Sequence, residues 1–433
     1  MENDLSSPQI LVRSRERAVC CASSMKIIDD LKALNRDQRA TFLASVLGWT
    51  LDAFDFFLMV FMIKKIAGDF HVDKEAVSYA VFLTLAFRPL GALVFGWLAD
   101  HFGRRPILVL VILLFSLFEL ASAFATNLTT LLILRACFGF AMGGEWGIGA
   151  SLVMESVPER SRGTVSGVLQ QGYPLGYLLA SVVYGLLFDI IGWRGMFMVG
   201  VLPALLVFYI RLGVKESPVW EQRRHRVHYL DVPKALFGHW RIFIYVVLLM
   251  TAFNLFSHGT QDLYPTFLQS QHKLDTHTVS AILIVMNIGA IIGGLTFGAW
   301  SQRIGRRKAI IISALLALPI LPLWAFSATP LFLGLGAFLM QIAVQGAWGV
   351  VPAHLNELSP NEVRGTFPGF AYQLGNLFAS YNIVLQSKIA KAYDGNYSIA
   401  LASVVGVTLF LLAGLAFIGR EDRSAVFGHK QDN

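Results

Sequence analysis

The sequence predicts an all-α integral membrane protein, with twelve transmembrane helices in two pseudo-symmetric six-helix bundles. Three observations lead there. The 433 residues are 55% hydrophobic and 15% charged, with a mean hydropathy of +0.59. Soluble domains carry about 25% charged residues. Apolar runs long enough to cross a hydrocarbon core, about 20 residues each, recur along the chain. Several motifs also return at one fixed offset.

Taken in order, the apolar runs cover residues 40–65, 76–99, 106–125, 129–154, 164–187 and 193–214. A second set follows at 241–268, 277–300, 308–327, 330–356, 366–390 and 397–419. Each ends at a polar or turn-forming stretch, such as "DHFGRR" after the second run and "ESVPERSRGT" after the fourth. Glycine and proline inside such runs are ordinary in membrane helices. The only sizeable internal loop is 215–240. The domain reading is therefore a tail at 1–38, a bundle at 39–214, the central loop at 215–240, a second bundle at 241–419 and a tail at 420–433.

The N-terminus imitates a signal peptide, with "RSRER" before "AVCCASSM". Its apolar stretch is too short, and the charged "KIIDDLKALNRDQR" follows it. Met1 and Met25 both stand as possible starts. Three cysteines, Cys20, Cys21 and Cys137, offer neither a disulfide framework nor a metal spacing. No metal or cofactor is expected. The net charge of +7 does not point to nucleic acid, because the basic residues sit in short loops between apolar runs. With the N-terminus inside, only seven of the 35 Lys and Arg fall on the far side: Lys64, Lys65, Lys74, Arg194, Lys273, Lys388 and Lys391. The positive-inside rule puts both termini and the central loop in the cytoplasm. The expected location is a cell membrane, of the bacterial inner-membrane kind.

The halves repeat. "GWLADHFGRR" at 96–105 returns as "GAWSQRIGRR" at 298–307, and "ESVPERSRGT" at 155–164 returns as "ELSPNEVRGT" at 357–366. Both pairs are 202 residues apart, as are Trp146-Gly147 and Trp348-Gly349, and Gln171 and Gln373. A fixed offset over several motifs indicates duplicated six-helix bundles.

Polar residues inside the spans are costly, so they mark function first. "DAFDFF" in the first span carries Asp52 and Asp55, three apart on one helix face. The repeat sets them opposite Asn254 and Ser257 of the seventh span. There Asn254, His258 and Gln261 form a stripe flanked by Asp262. The two stripes are expected to face each other across a central cavity. His258 with Asp262 can take up and release a proton near neutral pH. Arg88 suits a carboxylate: it can neutralise the two aspartates of the first span or receive an anionic substrate, and the favoured reading is both, paired when empty and shared when loaded. Glu145, whose repeat position is Ala347, is a further proton-carrier candidate. Asn254 and Gln261 are equally readable as interhelical packing residues. Glu119 and Arg135 read as a plain interhelical pair, and His354 as a residue that snorkels or caps. Gln373 and Asn376, spaced i, i+3, can bond a carboxylate without adding charge. Tyr372 and Tyr381 read as packing or interfacial residues, and Gln170, Gln171 and Tyr173 as weaker site candidates.

The G-x-x-x-D-x-x-G-R-R loop at Gly96–Arg105, its echo and the 6+6 layout resemble the major facilitator superfamily, over nearly the whole chain. A narrower resemblance lies in Asn254-x-x-Ser257-His258-x-Thr260-Gln261-Asp262-x-x-x-Thr266. It is similar to the signature of fungal lactate/pyruvate permeases, within the sialate:proton symporter family. "FRPLGALVFGWLADHFGRR" and "VKESPVWE" look like the same group. The resemblance implies proton-coupled uptake of a small monocarboxylate such as lactate or pyruvate, by a protein that works as a monomer. It implies that Gln373 and Asn376 determine the substrate; Arg88, Asn254, His258 and Gln261 join them as substrate-binding candidates from their place in the spans. It also implies a cytoplasmic charge latch of Asp100, Arg104, Arg105, Glu155, Arg162, Glu357 and Arg364. That latch is expected to be lopsided, because Gln302 stands where a second aspartate would repeat Asp100.

No Walker loop or other enzyme motif is present. Three alternatives remain. One is a sialic acid:proton symporter, disfavoured by the short central loop because some sialate members carry extra spans there. Another is a symporter of di- or tricarboxylates or aromatic acids. The third is a transporter-like sensor that moves nothing, against which stands the short tail "EDRSAVFGHKQDN".

Overall fold

The computed structural model describes residues 27–202, 204, 205, 209, 210, 213–223 and 231–421. Cys20, Cys21, Met25, most of both tails and part of the central loop lie outside the described residues. Among those described, the regular elements are all helical.

The first half begins with α1, Arg36–Asp69. A capping box starts it: Asn35 accepts from the Gln38 N–H, and the Gln38 side chain accepts in return. Then come α2, Lys74–Phe102, and α3, Arg104–Ala123. Helix α4 runs Leu128–Met142 and continues, after a break at two glycines, as Glu145–Ser156. Helix α5 joins Arg162–Gln170 to the first part of the helix Gly172–Val199. Gly192, at φ 63°, breaks that helix, and the part beyond it is α6.

The second half repeats the plan. Helix α7 is Trp240–Gln261, followed by Tyr264–Ser270 after a break at Asp262. Helices α8, Thr276–Ile304, and α9, Arg306–Phe326, come next. Helix α10 is Pro330–Trp348 continued as Val351–Leu358, and α11 is Phe367–Ala379 continued as Asn382–Ala392. Helix α12 is Tyr397–Ile418.

Ten described helices are long and apolar enough to cross a membrane. The expected sixth and eleventh spans are not separate members of that set. The sixth merges with the fifth across Gly192 and runs partly outside the described residues. The eleventh is split near Ser380. The turn joining α2 to α3 and its repeat between α8 and α9 share a backbone. Gly103 has φ 110° and Gly305 φ 108°, where a side chain would be strained. These glycines are 202 residues apart, so the duplication extends to single dihedrals.

The halves meet at the end of the bundle that holds the Gly96–Arg105 loop, called here the motif end. Helix α5 packs on α8 there, and α11 on α2. Small residues allow it. A Cβ on Gly147 would sit 2.6 Å from Gly369 Cα, and one on Gly298 would sit 2.5 Å from Gly167 Cα. Neither pair tolerates a methyl group. Ser166 Oγ donates to the Gly349 carbonyl at 2.8 Å, and Ser151 Oγ to the Arg364 carbonyl at 2.6 Å, across the same seam. Among the described residues no comparable packing joins the halves at the opposite end, and α1 and α7 each pack mainly on helices of their own half. The space between the halves is thus sealed at the motif end.

Candidate transport site

The break after Gln261 sets the seventh span's polar groups at the middle of the bundle. His258 Nδ1 lies 3.2 Å from the Asp262 carboxylate, and His258 Nε2 lies 3.1 Å from Asn376 Oδ1 on α11. The His258 and Asp262 side chains are 31% and 32% exposed. With the motif end sealed, they are reached from the opposite end. An imidazolium would donate to both neighbours at once, to a carboxylate and to an amide oxygen. The residue expected to carry the proton and a residue expected to touch substrate are therefore hydrogen-bonded to each other.

The other members of the stripe face different neighbours. Gln261 Nε2 donates to Gln341 Oε1 of α10 at 3.1 Å, and Gln341 donates to Thr260 Oγ1. That network ties α7 to α10. Asn254 is buried and donates to the Met250 carbonyl of its own helix. Gln373 is buried with its Oε1 unpartnered among the described residues. Tyr173 of α5 lies within electrostatic reach of Arg88, Asp262 and Tyr372, so it looks across the gap between the halves. Below it, Trp146 and Tyr372 meet with ring centroids 4.6 Å apart, and Trp49 stands beside Trp146 at 6.4 Å. These rings form an aromatic floor between the halves.

The aspartates of α1 part company. Arg88 Nη2 is 3.9 Å from Asp52 Oδ2, with Glu145 in electrostatic reach of both. Asp55 turns instead toward α3. A Cβ on Gly200 would lie 3.0 Å from Glu119 Oε1 and 3.1 Å from Asp55 Oδ1, so both carboxylates crowd one spot. Glu119 pairs with Arg135 at 2.7 Å, both fully buried, and Arg135 lies 4.2 Å from the Phe138 ring centre. Glu119 and Arg135 do form an interhelical pair, but one that includes Asp55 as a third member. The expectation that Arg88 serves both aspartates fails for Asp55, because Glu119 and Arg135 occupy its surroundings.

At the motif end, Arg104 reaches Asp100 at 2.9 Å and Glu155 at 3.2 Å. Asp100 crosses to the other half, accepting from the Gly365 N–H at 2.7 Å, the Thr366 N–H at 2.9 Å and the Thr366 hydroxyl at 2.7 Å. Arg364 comes within 3.9 Å of Glu155. In the repeat, Arg306 pairs with Glu357 at 2.8 Å and with Gln302 at 2.8 Å. Gln302 accepts one bond from the Gly163 N–H at 3.1 Å and donates one to the Glu159 carbonyl. Arg162 is in electrostatic reach of Glu357. Arg105 holds a different place: its N–H and that of Arg104 donate to the Glu216 carboxylate, at 3.1 and 3.0 Å. His354 neither snorkels nor caps. It is buried, with both ring nitrogens unpartnered among the described residues, because the α4, α5 and α10 ends close over it.

Sequence reasoning missed Glu216, Ser217 and Gln341. Ser217 donates to Glu155 and so anchors the central loop to the latch. A signal for Glu216 and Ser217 exists, since both lie in the polar "VKESPVWE" stretch directly after the sixth span. Gln341 is one amide in an apolar run, and only the fold brings it to Gln261.

Residues 45–275, more than half of the chain, match the Major Facilitator Superfamily profile, and 233–421 match the profile of sugar (and other) transporters. The chain belongs to the major facilitator superfamily. It is 27% identical over 431 residues to a "Carboxylic acid transporter protein homolog" of Saccharomyces cerevisiae, covering 91% of this chain and 70% of that protein. It is 28% identical to "Sialic acid transporter NanX" of Escherichia coli, covering 90% of this chain and 96% of NanX. The fold matches the proton:xylose symporter XylE with a TM-score of 0.71 at 18% identity, over 87% of this chain and 95% of that one. The NanX match supports the resemblance to the sialate:proton symporter family. This superfamily member is a multi-pass membrane transporter, and its relatives are transporters, not enzymes.

Proposed function

We propose that the transporter takes up a small monocarboxylate, such as lactate or pyruvate, together with a proton by alternating access. One observation carries the reading. His258 is bonded at once to an acid and to an amide, in a gap open at one end and sealed at the other. A proton on His258 favours an anion nearby, and the Asn376 amide has its N–H side available for a carboxylate oxygen. Arg88, Gln373, Gln261 and Asn254 are the further substrate candidates, and Asp262, Asp52, Asp55 and Glu145 the further proton candidates. The motif-end bonds of Asp100, Arg104, Glu155, Glu357 and Arg364 hold the inward gate, with Arg105 and Arg162 supporting them. The positive-inside argument makes that end cytoplasmic, so this conformation is outward-open. The relative named for carboxylic acids supports the substrate class.

Sialic acid is the second reading. NanX is matched over nearly its whole length, so extra central spans are no requirement for a relative of that name. The short central loop therefore loses its force against this reading. Uptake of labelled lactate, pyruvate and sialic acid by proteoliposomes, with and without a proton ionophore, separates the readings. Binding without accumulation would mean a sensor. Accumulation indifferent to the pH gradient would remove the proton.

A further inference from the structure

A second site lies away from the central gap, where α1 begins. A cleft of about 840 Å³ opens between the start of α1, the α2–α3 turn and the residues before the central loop. Its upper rim carries Arg36, Arg39 and Lys215 beside one acid of the lining, Asp37. Lys215 already pairs with Asp37 at 2.7 Å. Among the described residues Arg39 donates to the carbonyl of Lys32 and to no acid. The rim holds surplus positive charge.

Below the rim the lining turns apolar. Leu43 and Tyr209 line the cleft, and both are exposed. Arg36, Arg39, Leu43 and Leu47 follow the helical period, so one stripe of α1 passes from basic to apolar over about 16 Å. Leu47, one turn beyond Leu43, is exposed too. In a chain that spans a membrane, such exposed apolar side chains face acyl chains. A cationic rim above an apolar groove matches a charged headgroup above its tails. A soluble anion would use the rim and leave the groove without purpose.

We propose that this cleft binds an anionic phospholipid, with its phosphate among Arg36, Arg39 and Lys215 and its acyl chains along Leu43, Leu47 and Tyr209. The bound lipid would join α1 to the segment that holds the latch. Lys215 precedes Glu216, which accepts from the Arg104 and Arg105 N–H groups, and Ser217, which donates to Glu155. The lipid would thus stiffen the sealed end without touching the transport site.

The test uses the full-length protein in neutral detergent. Phosphatidylglycerol, phosphatidylcholine and inorganic phosphate are each titrated, with melting temperature and lipid retained in native mass spectrometry as readouts. Phosphatidylglycerol is expected to raise the melting temperature and to remain bound. Phosphatidylcholine and phosphate are expected to do neither. Arg36→Ala with Arg39→Ala should weaken phosphatidylglycerol retention roughly thirty-fold, at about five-fold for each cation. Arg36→Lys with Arg39→Lys should restore most of it. Both arginines are exposed, so melting in phosphatidylcholine serves as the control for folding. Equal retention of the two lipids, or retention untouched by the double alanine variant, overturns the proposal. Stabilisation by inorganic phosphate alone would make the rim a small-anion site and overturn it equally.

Discussion

The two halves share a backbone plan and divide the chemistry unequally. The N-terminal half buries Asp52, Asp55, Arg88, Glu119, Arg135 and Glu145 inside its helices. At the same repeat offset the C-terminal half has Asn254, Ser257, Ala290, Leu321, Ala337 and Ala347. Every charge is replaced by a neutral group. The C-terminal half instead contributes His258 and Asp262, at positions where the first half has Phe56 and Val60. A duplicated bundle needs the same helix contacts twice, and the small residues and turns supply them. It does not need the same polar groups twice. Polar groups present in one half only are therefore the ones that packing does not explain, and both sets lie in the spans.

The deepest difference should give the largest effect. Arg135→Leu leaves Glu119 and Asp55 buried without a cation. Breaking a fully buried pair from one side costs about 3–5 kcal/mol. The variant should lose most of its thermal stability in detergent. Ala337→Leu, at the matching site of the second half, should cost clearly less, because it adds volume and no unpaired charge. Equal losses would mean that the charges contribute nothing beyond packing.

The second effect concerns coupling. One proton carried per monocarboxylate, under a two-unit pH gradient, supports accumulation of up to about 100-fold. Asp262→Asn removes the acid that orients His258. Steady-state accumulation should fall to the level of simple equilibration, while counterflow exchange of labelled substrate continues. If accumulation persists, the acids of the first half carry the proton, and Asp55 and Glu145 become the residues to replace.

Much of this division could be read from the sequence. The offset of 202 exposes the repeat, and Asp52 against Asn254 shows the asymmetry without coordinates. His258 and Asp262 are one helical turn apart, so their contact follows from the period. Other contacts could not be read. Asn376 meets His258 across 118 residues. Asp55 sits among Glu119 and Arg135 while Asp52 sits with Arg88, a division that no local pattern states. The Glu216 carboxylate holds three backbone N–H groups, those of Arg104, Arg105 and Ser217, and backbone partners leave no mark on a sequence.

The His258–Asn376 bond sharpens a third test. Amides alone suggest a substrate site separable from the proton site. The structure links them. Asn376→Ala should weaken substrate binding by about 1–3 kcal/mol, a factor of roughly 5 to 150. It should also change the pH profile of uptake, because His258 loses one of its two partners. Competition by a panel of acids, repeated from pH 5.5 to 8, reads both. A change in acid preference with an unchanged pH profile would show that the bond is absent in the loaded state.

The smallest effect lies at the sealed end, where the halves almost match. Asp100 accepts three bonds from the other half, and each is assisted by its charge. Gln302 makes two neutral bonds across the seam. Charge-assisted bonds contribute about 1.5–3 kcal/mol and neutral ones about 0.5–1.5 kcal/mol. Asp100→Asn should therefore open the motif end more often than Gln302→Ala. A single cysteine placed at Gly369, in the seam against Gly147, would read the opening if the fold tolerated it. It does not, since its side chain would meet Gly147 at 2.9 Å. Ser166→Cys is the better reporter, because that side chain is already accommodated at the seam and bonds Gly349 across it. Labelling of this cysteine by a membrane-impermeant maleimide, in inside-out vesicles, should quicken strongly with Asp100→Asn and only slightly with Gln302→Ala. If the glutamine variant labels as fast as the asparagine variant, the seam is held by the glycine contacts and Arg306–Glu357. The aspartate would then be no stronger a fastening than its neutral counterpart.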